Sequence, residues 1–105
     1  MNQIIKSKQF IEQEQMMTVK LSSCGNPDFR QNPDGPLFGC PEEAYVTVAT
    51  FKGASEVCLI YINGWELGGG NWSGGQVYKG NKQIARVSYN GRIWDMDDKE
   101  LVVNN

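Results

Sequence analysis

The sequence predicts a small α+β domain in which one long helix packs on one face of an antiparallel sheet, in the order ββαβββ. Two observations indicate this fold. A helical stripe of apolar residues runs through 51–66, and turns made of glycine and asparagine separate alternating segments after residue 75. The chain has 105 residues, which is room for one domain with one core. A helix and a sheet of this size would bury their apolar sides against each other.

The first residues fit two descriptions. Residues 3–16 place Ile4, Ile5, Phe10 and Ile11 among lysine, glutamine and glutamate, a pattern that favours a weakly amphipathic helix. We therefore predict an N-terminal extension over 1–16, either this extra helix or a mobile segment, and a single domain over 17–105. The first strand would follow at 18–22, where apolar and polar residues alternate.

A long loop is predicted between the first two strands. Residues 24–43 contain all four prolines together with glycine, asparagine and aspartate, which is typical of successive turns. A loop of this length is either functional or structural. We expect Phe29, Leu37 and Phe38 to pin it onto the core. The second strand, at 44–50, is indicated by its β-branched residues.

The helix prediction has a competitor. Thr50 suits an N-cap, and an apolar stripe follows it at Phe51, Ala54, Val57, Cys58, Tyr61, Ile62 and Trp65. However, 57–62 also fits a buried strand that enters an Asn63-Gly64 hairpin. The helix is the preferred interpretation, and Gly64 or Gly68 would end it.

Three strands are predicted after the glycine-rich segment, at 76–79, 83–89 and 92–95, with a short edge strand at 101–103. A two-residue turn at Asn90-Gly91 would pair Val87 with Trp94 and Arg86 with Asp95. In that register Val87 and Trp94 form a core pair. Arg86 and Ile93 then lie on the opposite face, because side chains alternate along a strand.

The segment 67–75 holds five glycines around Trp72. Glycine serves where the backbone takes a positive φ or approaches another group closely, and the embedded tryptophan favours a shaped loop. We expect Trp72 to be ordered and partly exposed, as an anchor for a partner. In the alternative it folds back as a lid over Trp65 and Leu67, and the loop is structural.

Composition argues against several chemistries. The chain has no histidine, and Cys24, Cys40 and Cys58 are spaced too widely for a compact metal knuckle. We therefore expect no metal, no cofactor and no catalytic residues. An odd number of cysteines and the lack of a signal-like apolar run predict a cytoplasmic protein without a membrane span. The net charge of −2 gives no overall attraction to nucleic acid.

A binding function is the preferred hypothesis. Between Leu67 and Trp94 every charged residue is basic, and aromatic side chains lie among them. We expect a protein partner, because such residues dominate interface energies. Single-stranded nucleic acid on a basic aromatic sheet face is the first alternative, and a small ligand or an enzyme of unknown class is the second. A homo-oligomer is a further option. The candidate binding residues are Asn71, Trp72, Tyr78, Lys79, Arg86, Tyr89 and Arg92.

Two segments support a resemblance. They resemble small proteins of phages, plasmids and integron cassettes. The first is a helix that follows a strand and opens with Thr50-Phe51-Lys52-Gly53-Ala54-Ser55, and the second is a meander that ends with Ser88-Tyr89-Asn90-Gly91-Arg92-Ile93-Trp94-Asp95. Some of these are anti-CRISPR proteins, which occupy surfaces of an RNA-guided complex without chemistry. The resemblance covers about 44–95 in topology and composition. It implies this class of small protein, and it assigns neither a role nor a site residue.

Overall fold

The computed structural model describes residues 16–36 and 43–102. The predicted N-terminal helix lies outside these residues, as do Leu37 and Phe38 of the first loop. The third residue expected to pin that loop, Phe29, is 73% exposed, so this part of the prediction is wrong. Phe29 belongs to a short 3₁₀ turn, Pro27–Phe29, which is capped by the Asn26 side chain and buries none of its residues.

The α+β class is confirmed. The strands are β1 (Met17–Leu21), β2 (Ala44–Val48), β3 (Gln76–Lys79), β4 (Lys82–Val87), β5 (Ile93–Asp95) and β6 (Glu100–Leu101), and the helix α1 is Phe51–Gly64. All six strands form one antiparallel sheet in the order β2-β1-β3-β4-β5-β6. The first strand of the chain therefore lies inside the sheet, between β2 and β3.

Helix α1 begins and ends through recognisable caps. The Thr50 hydroxyl accepts a hydrogen bond from the Gly53 N–H at 2.9 Å, as the sequence predicted. At the other end Glu66 takes a left-handed conformation, with φ of 53°. The Leu67 N–H then donates to the Ile62 carbonyl, and the Glu66 N–H to the Asn63 carbonyl. This is a Schellman motif with Glu66 in the left-handed position. The last residue of α1 is Gly64, one of the two glycines predicted to end it, although neither Gly64 nor Gly68 takes the left-handed position.

The core lies between α1 and one face of the sheet. Alternate residues of β1 point towards the helix, so the strand has a strictly alternating burial pattern. From the helix, Ala54, Cys58, Tyr61 and Ile62 are buried against it. Residues 57–62 are helical, and the competing strand prediction is wrong. The sheet contributes Met17, Val19, Leu21, Val48, Val77, Ala85, Val87 and Ile93.

The predicted register of the last hairpin is wrong by one residue. Val87 pairs with Ile93, Arg86 with Trp94 and Ala85 with Asp95. The loop has three residues, because the Ser88 N–H donates to the Arg92 carbonyl and the Gly91 N–H to the Ser88 carbonyl. Gly91 has φ of 85°. A type I turn followed by a left-handed glycine is the usual geometry of a three-residue hairpin loop.

This shift exchanges the two faces of β5. Ile93 is 2% exposed and completes the core, while Trp94 lies on the opposite side of the sheet beside Arg86. The predicted Val87–Trp94 core pair and Arg86–Asp95 ion pair do not form. A bulge opposite Val77 and Tyr78 also brings Ile84 against the core, although the predicted alternation placed it on the far face.

Candidate functional site

The glycine-rich segment is a continuation of the sheet. Past β1, the Cys24 N–H donates to the Asn71 carbonyl, and the Ser73 N–H donates to the Ser22 carbonyl. Ser23 and Trp72 form an isolated bridge between these bonds. The segment therefore extends the pairing of β1 and β3 beyond the ends of the strands. It is a shaped structural element, as the embedded tryptophan suggested.

Two of its glycines are required by close backbone approach. The Gly75 N–H donates to the Lys20 carbonyl at 2.7 Å, while its carbonyl accepts from the Val87 N–H at 2.8 Å. A regular antiparallel strand directs both groups of a residue to the same side, so Gly75 is a bulge with φ of 99°. A Cβ there would overlap the Val87 carbonyl, and one at Gly74 would lie 2.7 Å from the Lys20 carbonyl oxygen.

Trp72 packs back onto the protein. Its indole N–H donates to the Val87 carbonyl at 3.1 Å, and its ring lies 6.0 Å from the Tyr61 ring. The side chain is half-buried against the core. This geometry corresponds to the lid alternative, with the Tyr61 ring as the aromatic neighbour of Trp72. Its role in binding a partner stays a prediction.

Two more candidate residues tie the same segment down. The Asn71 side chain is buried, accepts from the Gly68 N–H and donates to the Cys24 carbonyl and to Gln31. The Tyr89 hydroxyl donates to the Leu67 carbonyl at 2.8 Å, which joins the last hairpin loop to the end of the helix. These polar groups already have internal partners, so both residues have a structural role.

The side of the sheet that faces away from α1 is open, and we call it the open face. Its residues on the described strands are half-buried or exposed, and none of them is buried. The face is rich in aromatic and basic side chains. Its members, identified by their register positions, are Tyr45 and Thr47 of β2, Thr18 and Lys20 of β1, Gln76 and Tyr78 of β3, Gln83 and Arg86 of β4, Trp94 of β5 and Glu100 of β6.

Three basic residues on or near this face have acidic partners. Lys20 Nζ lies 3.4 Å from Glu43, and an Arg86 guanidinium nitrogen lies 3.3 Å from Asp98. Arg92 Nε is 3.9 Å from Glu100. Two of these acids belong to the acidic stretch that follows Trp94 in the sequence. The acidic stretch therefore folds back on the basic segment and pairs with its two arginines.

Arg86 has a second partner in its own face. Its guanidinium carbon lies 5.5 Å from the centroid of the Trp94 ring, within the range of a cation–π interaction. The guanidinium is thus held between an indole and a carboxylate. These two contacts restrict the arginine, which therefore has fewer conformations to lose on binding.

A shallow hollow lies between the two tyrosines of the open face. Thr18, Tyr45 and Tyr78 line it together with the Gly80-Asn81 turn, and its volume is about 330 Å³. Tyr45 is 55% exposed. The tyrosines come from β2 and β3, which flank β1, so Thr18 lies on the strand between them. The hollow is open to solvent and is suited to a protruding side chain.

The seven candidate residues thus divide into three groups. Tyr78 and Arg86 lie on the open face, whereas Asn71, Trp72 and Tyr89 secure the glycine-rich segment. Lys79 is exposed at the end of β3, and Arg92 is held by Glu100. The sequence interpretation missed Tyr45 and Trp94. The alternation of 44–50 contained the signal for Tyr45, because Val46 and Val48 on one side place it on the other.

Nucleophile and metal chemistry find little support in the described residues. Cys58 is fully buried in the core, and this burial raises the pKa of its thiol to about 12, so it is protonated at neutral pH. Cys24 donates weakly to the Gly70 carbonyl. Within 16–36 and 43–102, no cluster of three histidine, cysteine, aspartate or glutamate residues could hold a metal ion.

Another open concavity, of about 370 Å³, lies between the start of α1 and β5–β6. Its lining includes two basic residues, Lys52 and Arg92, and two acidic residues, Glu56 and Glu100. In the part of the chain that the structure describes, no helix has the length and apolar character needed to cross a membrane.

The chain matches no protein-family model, and neither a curated protein nor a solved structure is significantly similar to it.

Proposed function

We propose that this protein is a non-catalytic binding protein that engages a protein partner through its open face. The supporting observation is the presence of Tyr45, Tyr78 and Trp94 on one uncovered side of the sheet, beside an arginine already held in place. Tyrosine, tryptophan and arginine carry most of the energy in protein interfaces. The hollow beside Thr18 would accept an anchoring side chain of the partner.

Charge favours a protein over nucleic acid as the partner. Phosphate contacts dominate nucleic-acid affinity and need cations that are free to pair with them. A phosphate that binds Lys20 or Arg86 would displace Glu43 or Asp98, which leaves Lys79 and Lys82 at the end of the sheet as exposed cations. The whole chain also has a net charge of −2. Single-stranded nucleic acid stacked on the tyrosines is the alternative function, and it would bind weakly at physiological salt.

The resemblance to proteins of mobile genetic elements supports a more specific hypothesis. In this hypothesis the protein is an inhibitor or adaptor in the cytoplasm of a bacterial host, and an RNA-guided complex is one candidate target. An inhibitor of this kind acts by occupying a surface, which requires no catalytic residue. Restored uptake of a plasmid that the host's RNA-guided complex targets would support this form of the proposal.

The general proposal is tested by capture from host lysate with three immobilised proteins: the wild type, a Tyr45→Ala/Tyr78→Ala double variant and Ile60→Ala. Ile60 is 69% exposed on α1, on the other side of the molecule, so it is the matched control. We expect a protein that the wild type and Ile60→Ala retain and the double variant loses. With the purified partner, the double variant should bind at least about thirtyfold more weakly.

Two results would contradict this proposal. Equal capture by all three proteins would show that the open face is not the interface. Retention of a single-stranded oligonucleotide that falls steeply with salt and depends on the tyrosines would support the nucleic-acid alternative instead.

A further inference from the structure

The two edges of the sheet differ in how well they are protected. Strand β6 has two residues, one of which is the charged Glu100, and Lys99 directly precedes it. Strand β2 has five residues, none of them charged, and contains no proline. Natural proteins protect open edges with short strands, charges or proline. Edge β6 has two of these features, whereas edge β2 has none.

The backbone groups that β2 directs away from the sheet follow from the hydrogen bonds of β1. The Lys20 carbonyl accepts from Gly75 on the β3 side, so Lys20 directs its backbone groups away from β2. Its partner Tyr45 therefore directs its own N–H and C=O outward from the sheet, since such pairs do not bond to each other. The same alternation applies to Thr47. Both side chains are exposed.

We propose that β2 pairs with the β2 strand of a second copy of this chain, which gives a symmetric dimer with one continuous sheet. The pairing is antiparallel and centred on Val46. In this register Tyr45 lies opposite Thr47 of the second copy, and the outward N–H and C=O groups of both residues form four hydrogen bonds across the twofold axis. This inference is independent of the proposed function.

The strand is suited to pairing with itself. Val46 meets Val46 of the second copy on the helix side, as a close pair of β-branched side chains. On the open face, Tyr45 packs beside Thr47 of the second copy, which covers one side of its exposed ring and leaves the side that faces Thr18 and Tyr78 open. Residues 44–48 contain no charge, so no like charges meet at the seam. The two open faces join into one surface across the dimer.

The main test compares Thr47→Pro with Thr47→Val by sedimentation velocity over about a hundredfold range of concentration. Proline removes an N–H that points away from β1, so the monomer fold is expected to tolerate it. Valine keeps the N–H and the size of the side chain. We expect concentration-dependent dimers for the wild type and Thr47→Val, and a dissociation constant raised at least about tenfold for Thr47→Pro. Circular dichroism checks that each variant folds.

A second variant tests the register without blocking the edge. In Val46→Cys the two new thiols lie opposite each other, with Cβ atoms roughly 5 Å apart, and should form an intermolecular disulfide under mild oxidation. Thr47→Cys, whose thiols lie diagonally, should cross-link much more slowly. A wild type that stays monomeric throughout, dimers that Thr47→Pro leaves unchanged, or equal cross-linking of both cysteine variants would overturn the proposal.

Discussion

Ile93 and Trp94 are adjacent residues whose side chains lie on opposite sides of the sheet. Ile93 is 2% exposed in the core, while Trp94 is half-buried on the open face beside Arg86. We therefore expect Ile93→Ala to lower the free energy of unfolding by about 3 kcal/mol and Trp94→Ala by only about 1 kcal/mol. Urea unfolding of the two variants measures this difference. The reverse order would support the two-residue turn that the sequence suggested.

Cys58 makes stability sensitive to alkaline pH. Its pKa is raised from 9.0 to about 12 in the folded protein by burial, so the unfolded chain loses this proton first as pH rises. The contribution of the protonated Cys58 thiol to the free energy of unfolding is complete below pH 9 and declines as pH rises towards 12. Between pH 9 and 11 the free energy of unfolding should fall by about 2 kcal/mol more in the wild type than in Cys58→Ala.

Denaturation at several pH values tests this expectation, and the variant corrects for lysine and tyrosine titration, which both proteins share. An independent check is thiol labelling at pH 8, where Cys58 should react only after unfolding. Parallel pH profiles for the two proteins would show that the thiol ionises as readily in the folded state as in the unfolded chain.

The glycine-rich segment depends on Trp72 for its position against the sheet. Its indole covers Tyr61 and donates to the Val87 carbonyl, so truncation removes both packing and a hydrogen bond. We expect Trp72→Ala to reduce the free energy of unfolding by about 3 kcal/mol. Trp65→Ala is the control, because Trp65 is 42% exposed, and it should cost about 1 kcal/mol. An unchanged stability of Trp72→Ala would support the partner-anchor interpretation.

Gly75 tests the same element at the level of its backbone. Alanine there would need a positive φ and would overlap the Val87 carbonyl, so Gly75→Ala should destabilise the protein by more than about 2 kcal/mol. Gly64 is the matched control, since it ends α1 with open space around it. Gly64→Ala should stabilise the protein by about 0.5 kcal/mol. Thermal unfolding distinguishes the two substitutions by the sign of the change.

At the scale of the whole molecule, the protection of backbone amides against hydrogen exchange should decrease from the middle of the sheet to its edges. Val19, Val77 and Ala85 are fully buried on β1, β3 and β4, whereas β6 has two residues at the rim. We expect amide hydrogen exchange to be slowest in these three inner strands and fastest in β6. In the proposed dimer, β2 amides become better protected as protein concentration rises. Equal exchange in all six strands would contradict this order.

The sequence predicted those parts of the fold that depend on local patterns. The Thr50 cap and the apolar stripe of 51–66 identified the helix, because both signals lie within a few turns. The Asn90-Gly91 turn was less specific, since glycine in a left-handed conformation fits loops of two or three residues. Because of this ambiguity, Trp94 was predicted in the core, and it was not considered as a binding residue of the open face.

The remaining errors concern contacts between distant residues. The place of β1 inside the sheet and the Asn71 contacts with Cys24 and Gln31 join segments that are more than 39 positions apart. The residue types of the glycine-rich segment are typical of a binding loop. That this segment pairs with the sheet follows only from its hydrogen bonds with the residues at the end of β1 and directly after it. The ion pairs of Arg86 and Arg92 likewise depend on where the acidic stretch after Trp94 folds.

The inner position of β1 also has a consequence for how the chain reaches this structure. Strands β3 to β6 pair with neighbours in sequence, so they need only short loops to close. Val19 and Val77 pair although more than half the length of the chain separates them. Contacts of this kind slow folding. During synthesis β1 leaves the ribosome long before β3, and until then one of its sides has no neighbouring strand, which makes this the interval most open to mispairing.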